Sequence, residues 1–238
     1  MSRPSCVLIT GGSRGIGRAC CDLLAEQTIP VVSLSRSRPA TLPDTETHVP
    51  VDLSDIESVS QTMKQLLKDH PVSALICNAG RGDIGSLENF SAEQIAASLT
   101  LNLTSPLTIA RHCIPAFRTL PRSDIIFIGS TSSLEGARYA SLYSAAKFGL
   151  RGVAQALSHE LSNANCHVGI VNPGMVRTSF FDTLDFEPGP EESHALIPAQ
   201  VAKTVVDLLR SPDHAVISEV IIKPLQHVVR KRQSTGRS

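Results

Sequence analysis

Cys6-Val7-Leu8-Ile9-Thr10-Gly11-Gly12-Ser13-Arg14-Gly15-Ile16-Gly17 carries the clearest structural signal in the chain. Cys6 to Thr10 is apolar and β-branched without alternation, which fits a strand buried on both faces of a parallel sheet. It ends at a glycine-rich turn, and Arg18 to Ala25 then reads as a helix. Strand, glycine turn and helix N-terminus in that order form a phosphate-binding arrangement. Glycines let the backbone approach a diphosphate, and the free N–H groups and dipole of the helix favour its charge. The spacing is Gly11-x-x-x-Gly15-x-Gly17, not the G-x-G-x-x-G of the general dinucleotide fingerprint.

Outward from this turn, strands and helices alternate. Strands are predicted at Val31–Ser35, Thr47–Val51, Val72–Cys77, Ile125–Ile128, His167–Val171 and Val216–Ile222. Ser54 with Glu57 reads as a capping box for a helix whose apolar face is Ile56, Val59, Met63, Leu66 and Leu67. Ser91 caps a long helical segment that Pro106 is expected to kink. A helix carrying Tyr143 runs to about residue 163, and Pro198 opens the last one. The pattern predicts an α/β fold, a doubly wound parallel sheet of about seven strands with helices on both faces, joined by right-handed crossovers. One domain over residues 1–238 is expected, with residues 179–197 as a substrate lid. Ligands of such sheets bind off the carboxyl ends of the strands, so Gly11–Gly17, Asn78–Gly80, Ser130 and Pro173–Thr178 can share one cleft.

Composition narrows the function classes. Lys+Arg and Asp+Glu both total 22, so no global field draws the chain to nucleic acid or an anionic membrane. With 42% hydrophobic and 18% charged residues, it suits a globular protein with a large buried sheet. The six cysteines contain no C-x-x-C pair and read as small buried hydrophobes in a reducing compartment. The eight histidines show no ligand spacing, so no catalytic metal is expected. No long apolar run suggests a membrane span, and a strand within about five residues of Met1 leaves no room for a signal peptide; a cytoplasmic location is expected. The basic tail at about 228–238 reads as frayed.

Chemistry concentrates in Ser141-Leu142-Tyr143-Ser144-Ala145-Ala146-Lys147. Tyr143 and Lys147 lie one helical turn apart on one face. A neighbouring ammonium favours the phenolate and lowers the phenol pKa, giving an acid/base group for an alcohol or carbonyl oxygen. At the end of the second strand, where an NAD site offers Asp or Glu to the ribose, this chain has Arg36, and Arg14 stands in the glycine turn. Two guanidinium groups there suit a 2′-phosphate, which favours NADP over NAD. Asn102, in an otherwise apolar stretch, needs a partner if buried.

In their order and spacing, Thr10-Gly11-x-x-x-Gly15-Ile16-Gly17, Asp52, Asn78-Ala79-Gly80, Asn102, Ser130, Tyr143-x-x-x-Lys147 and Pro173-Gly174 through Thr178 resemble a short-chain dehydrogenase/reductase, over about residues 5–225. The resemblance implies a single-domain Rossmann fold and an alcohol–carbonyl interconversion with NADP(H). Tyr143 would be the acid in reduction and the base in oxidation, and Ser130 would hold the substrate oxygen. Lys147 would lower the Tyr143 pKa and hold the nicotinamide ribose, and Asn102 would hold a water leading from Lys147 to solvent. Gly11, Ser13, Arg14, Gly15, Ile16 and Gly17 would take the diphosphate side. Asp52 and Leu53 would meet the adenine, and Asn78, Ala79 and Gly80 would lie along the nucleotide. Pro173, Gly174, Val176 and Thr178 would take the carboxamide side. Assembly as a homodimer or homotetramer is implied, through residues 91–119 and the Tyr143 helix.

The chain lacks the Asp-Gly-Gly that many members carry after the last strand; it has Lys223-Pro224-Leu225. This ending, with Arg36, is more similar to the branch containing hydroxy-acid dehydrogenases and sepiapterin-type reductases, and argues against a ketoacyl-carrier-protein reductase. Phe180 and Phe181 are candidate substrate contacts, and Arg81 and Arg138 candidate carboxylate holders. The rival reading is a catalytically silent sensor or scaffold that binds dinucleotide with the same fold.

Overall fold

The protein is described here by a computed structural model covering residues 4–232. The elements in chain order are β1 (Val7–Thr10), α1 (Gly15–Ala25), β2 (Val31–Ser35), β3 (Glu46–Pro50), α2 (Ile56–Asp69), β4 (Ala74–Cys77), α3 (Ala92–Leu99), α4 (Ser105–Phe117), β5 (Ser123–Ile128), α5 (Ser141–Glu160), β6 (Cys166–Pro173), β7 (Phe186–Pro188), α6 (Pro198–Leu208), β8 (Glu219–Ile222) and β9 (Val229–Lys231). Seven strands form one parallel sheet in the order β3-β2-β1-β4-β5-β6-β8. This is a Rossmann fold, and its order reverses direction between β1 and β4, the point where such sheets open a crevice at their carboxyl ends.

Successive strand residues point to opposite faces, so two cores form. Leu8, Leu75, Ile125 and Phe127 point to the face covered by α2, α4 and α5. Val7, Ile9, Ile76, Ile126 and Ile128 point to the face covered by α1 and α6. Each such side chain, once fully buried, contributes about 1.5–3 kcal/mol. Both faces are apolar, which is why the strands read as unbroken hydrophobic runs.

Local chemistry moved three of the predicted features. Asp55, not Ser54, caps α2: its carboxylate accepts the Ser58 N–H at 3.0 Å, while the Ser54 N–H is spent on Asp52 Oδ1 at 2.9 Å. A carboxylate also complements the helix dipole, as a hydroxyl does not. Pro106 does not simply kink one long helix. Residues Thr100–Thr104 form a π turn between α3 and α4, and Pro106 lies in the first turn of α4. In unbroken α geometry its ring would collide with the Asn102 carbonyl, and the wider turn relieves that. The tail is not frayed at its start: β9 pairs antiparallel with β7. Residues 233–238 of that tail lie outside the described residues.

Candidate active site

The glycine turn leaves β1 at the switch point. Gly11 has φ +74°, a region that favours glycine, and donates its N–H to Leu34 O at 2.7 Å. Asn78, at the end of β4, ties the turn down: its Nδ2 donates to Thr10 O at 2.9 Å and Gly11 O at 3.4 Å. Thr10 reciprocates, its hydroxyl oxygen accepting the N–H groups of Asn78 and Ala79 at 2.9 and 3.0 Å. Arg14 is extended and no side chain caps α1, so the first N–H groups of that helix, from Gly15, Ile16 and Gly17, have no intrahelical acceptor. Free N–H groups at a helix N-terminus favour an anion.

Within this turn Gly17 has the least room. A Cβ there would lie 2.3 Å from Gly11 O and 2.5 Å from Asn78 Nδ2. Gly17→Ala is therefore expected to cost about 3 kcal/mol, beyond the ~1 kcal/mol that alanine's helix propensity returns. Thermal unfolding checks it: a fall of at least ~5 °C is expected, and an unchanged midpoint would show that the turn yields.

The catalytic candidates converge from three elements. Tyr143 and Lys147 project from α5 and are 7% and 4% exposed. Ser130 follows β5, its oxygen accepting the Ser132 N–H at 3.1 Å. The Lys147 ammonium donates to Ile128 O at 2.9 Å and lies 5.7 Å from the centre of the Tyr143 ring. Asn102, in the π turn, is buried and satisfied: Nδ2 donates to Ser98 O and Oδ1 accepts the Arg81 N–H, both at 3.1 Å. A Cβ on Gly80 would sit 2.6 Å from Asn102 Oδ1 and 3.8 Å from Lys147 Nζ, so Asn78–Gly80 passes between them.

Burial dominates the electrostatics. It pushes the Tyr143 phenol up to about 12, with the neighbouring Ser130 hydroxyl acting the other way. It pushes Lys147 down to about 8. Lys147 does not lower the phenol as expected: desolvation of the phenolate sets the direction, and the one opposing influence is the Ser130 hydroxyl.

The remaining candidates take their places around this centre. Arg36 directly follows β2 and, like Arg14, is exposed. Asp52 is exposed beyond β3, and Leu53 is buried beside it. After β6, Gly174 donates its N–H to Ile222 O at 2.8 Å, Val176 bridges to Leu196, and Thr178 lies against Gly15. Phe180 packs on Tyr143, ring centres 5.8 Å apart, and against the open side of Gly82. Phe181 is buried in a cluster with Met175, Leu184 and Ala195, against which Phe180 also packs. Arg81 is paired with Asp83 at 2.9 Å, and Arg138 lies over the Tyr139 ring at 4.7 Å, so both are already engaged. The strap β7–β9 holds the segment carrying Phe181, and Arg232 donates to Phe181 O at 2.7 Å. Among the described residues, no group of three or more His, Cys, Asp or Glu is placed to hold a metal ion, and no helix is long and apolar enough to cross a membrane.

Two residues of this arrangement escape sequence reasoning. Thr10 was visible only as part of a motif, and Asn172 as a polar residue closing a buried strand.

A family profile described as "short chain dehydrogenase" matches residues 5–187. The chain belongs to the short-chain dehydrogenase/reductase family. It is thus an oxidoreductase by family, with the Rossmann sheet that family uses. A 3-ketodihydrosphingosine reductase of Bacteroides thetaiotaomicron is 31% identical over 81% of this chain and 72% of its own length. A 3-oxoacyl-[acyl-carrier-protein] reductase, MabA, of Mycobacterium avium is 31% identical over 91% of this chain and 86% of its own. The alcohol dehydrogenase of the archaeon Thermococcus sibiricus, solved with 5-hydroxy-NADP, shares the fold with a TM-score of 0.82 at 23% identity, covering 94% of this chain and 98% of that one. The second of these names is the activity that the Lys223-Pro224 ending argues against. It is that protein's activity, and the ending stays a departure of this chain.

Proposed function

We propose that this short-chain dehydrogenase/reductase is an NADP(H)-dependent enzyme interconverting an alcohol and a carbonyl. The observation that carries the reading is the burial of Tyr143 and Lys147 together, beside Ser130, at the carboxyl end of the sheet and next to an uncapped helix N-terminus. When bound, the dinucleotide supplies or accepts the hydride. The chain supplies position and protons. Tyr143 donates a proton to the carbonyl oxygen in reduction and removes it from the alcohol in oxidation. A phenol raised to about 12 is protonated at neutral pH, which suits donation. Ser130 hydrogen-bonds the same oxygen and stabilises its developing charge. Lys147 holds the ribose, while Asn102 fixes the turn above Lys147 and holds a water on the proton's path to solvent.

Gly11, Ser13, Arg14 and Gly15 through Gly17 take the diphosphate side. Arg36 with Arg14 takes the 2′-phosphate, Asp52 and Leu53 the adenine, and Asn78–Gly80 the length of the nucleotide. Pro173, Gly174, Val176 and Thr178 receive the carboxamide. Phe180 is the first side chain a substrate displaces from Tyr143, with Phe181 packed behind it. The whole chain acts as one catalytic domain with residues 179–197 as its lid. It works in the cytoplasm, with six unpaired, buried cysteines, and as a homodimer or homotetramer through the apolar groove between α4 and α5, lined by Leu107, Ile114, Val153 and Leu157.

A panel of carbonyl compounds, followed by loss of NADPH absorbance, tests the activity. Carbonyl-dependent oxidation is expected. Saturable NADPH binding with no turnover across the panel would favour the silent sensor instead. Cofactor choice is tested separately. Arg36→Asp is expected to weaken NADPH binding by about 1.5–3 kcal/mol, roughly 10- to 100-fold, through loss of a charge-assisted bond. A fluorescence titration reads it, and an unchanged NADPH affinity would show that Arg36 points elsewhere.

A further inference from the structure

Ser130 is not held by its own turn alone. Its N–H is shared between Ser133 Oγ at 3.0 Å and Asn172 Oδ1 at 3.2 Å. Asn172, on β6, is fully buried, and its Oδ1 occupies the space a side chain on Gly129 would need, 2.0 Å from that glycine's ideal Cβ position. The other end of the amide, Nδ2, donates to Glu219 Oε1 at 2.6 Å. Glu219 stands on the neighbouring strand β8, paired in register with Ile170, so it shares a sheet face with Asn172. Arg151 closes the chain of contacts, donating Nε and Nη2 to the two oxygens of Glu219 at 2.8 Å each. Tyr143, Lys147 and Arg151 follow one another at four-residue spacing along α5. One helix therefore carries both the acid/base pair and the anchor of this relay.

An amide has a donor end and an acceptor end, and nothing in its shape decides which way it faces. An ionised carboxylate only accepts. With Glu219 paired to Arg151, Asn172 must turn Nδ2 toward Glu219, and Oδ1 is then fixed toward the Ser130 N–H. A flipped amide would put a donor against that N–H and leave the Glu219 oxygen without its bond. We propose that Glu219, held by Arg151, is a positioning residue that sets the orientation of Asn172 and through it the Ser130 turn. The role rests on the reading of Ser130 as the residue that holds the substrate oxygen, and its test separates the two.

The full-length protein is compared by hydrogen–deuterium exchange of the segment 128–134, without ligand. It is also assayed with NADPH for turnover of the carbonyl compound that gives the highest rate in the panel. Glu219→Leu removes the acceptor, and exchange in that segment is expected to rise while kcat falls about 10-fold at unchanged NADPH affinity, as misplacement of a reacting group does. Asn172→Asp alone sets two carboxylates face to face and is expected to be worse. The swap Asn172→Asp with Glu219→Gln restores a donor–acceptor pair: the carboxylate introduced on β6 accepts from both the Ser130 N–H and the amide introduced on β8. It is expected to return exchange and turnover to within about 3-fold of the parent, which lost packing alone would not do. Faster exchange with undiminished turnover upholds the positioning and removes Ser130 from the chemistry. Unchanged exchange in Glu219→Leu, or a swap no better than Asn172→Asp, overturns the inference. Should Glu219→Leu fail to fold, the swap against Asn172→Asp still decides it.

Discussion

Tyr143→Phe is expected to lower turnover about 10³-fold, in the middle of the range for loss of a general acid–base group. The phenol is buried in the cleft, so phenylalanine fills the same space and lacks only the hydroxyl. No ordinary acid takes its place: Lys147 is bonded to Ile128 O, and Ser130 is too weak an acid to protonate a carbonyl oxygen at neutral pH. At neutral pH the phenol is protonated in the folded and unfolded chain alike, so its raised pKa bears no stability cost there; the fold is not expected to change much, and dinucleotide affinity is expected to stay within about 3-fold. Steady-state rates with a carbonyl substrate, beside a binding titration, read both quantities. Full turnover in this variant would remove Tyr143 from the mechanism.

Lys147→Met is expected to separate activity from stability. Loss of the ammonium removes the ribose contact proposed for it, for an expected fall in turnover of about 10²-fold. Stability is expected to move the other way. Burial takes Lys147 from its ordinary 10.5 to about 8, so the unfolded chain holds this proton more firmly than the folded one. Below pH 8 both states are charged and the folded state bears the whole desolvation cost, on the order of 3 kcal/mol. Between about 8 and 10.5 the folded state releases the proton first, and that cost fades as pH rises. Methionine has no charge to bury but leaves Ile128 O without its donor, which costs about 1–3 kcal/mol. The ligand-free variant is expected to be more stable than the parent by about 1–2 kcal/mol at pH 7, an advantage that shrinks or reverses by pH 10. Urea unfolding at the two pH values measures it. A variant destabilised at pH 7 by as much as at pH 10 would show that the lysine acts structurally, without a charging cost.

Most of the fold was legible because both faces of the sheet are buried. Val31–Ser35 was placed at its observed limits, and the other sheet strands were found with ends shifted by up to three residues. Misreadings arose where two polar groups competed for one job. Ser54 and Asp55 both suit a helix cap, and the start of the helix at Ile56, which lets the Asp55 carboxylate accept the Ser58 N–H, decides between them. Pro106 announces a disturbance, but whether a helix bends or widens depends on what packs against it. The tail looked solvated because β9 is short and basic; its partner strand β7 lies over 40 residues earlier, beyond any local signal.

The candidate site was legible as residue types and not as electrostatics. Glycine turn, Asn78, Ser130 and Tyr143-x-x-x-Lys147 carry their chemistry in their spacing. That Phe180 would cover Tyr143 while Phe181 turned away could not be read from two adjacent phenylalanines. Burial, a property of the whole fold, sets the phenol near 12, and a pairwise reading of Tyr and Lys has no access to it. Asn172 and Glu219 are 47 residues apart and meet only because β6 and β8 are neighbours.

The proposed chemistry requires the Tyr143 and Ser130 hydroxyls to stand beside the reacting end of a bound dinucleotide. A crystal structure of the protein with NADPH measures this directly. The nicotinamide ring is expected within about 4 Å of the space between those two hydroxyls. Lys147 is expected on the adjoining ribose and Arg36 on the 2′-phosphate. A nicotinamide ring lodged on the far side of Phe180, out of reach of both hydroxyls, would contradict that chemistry.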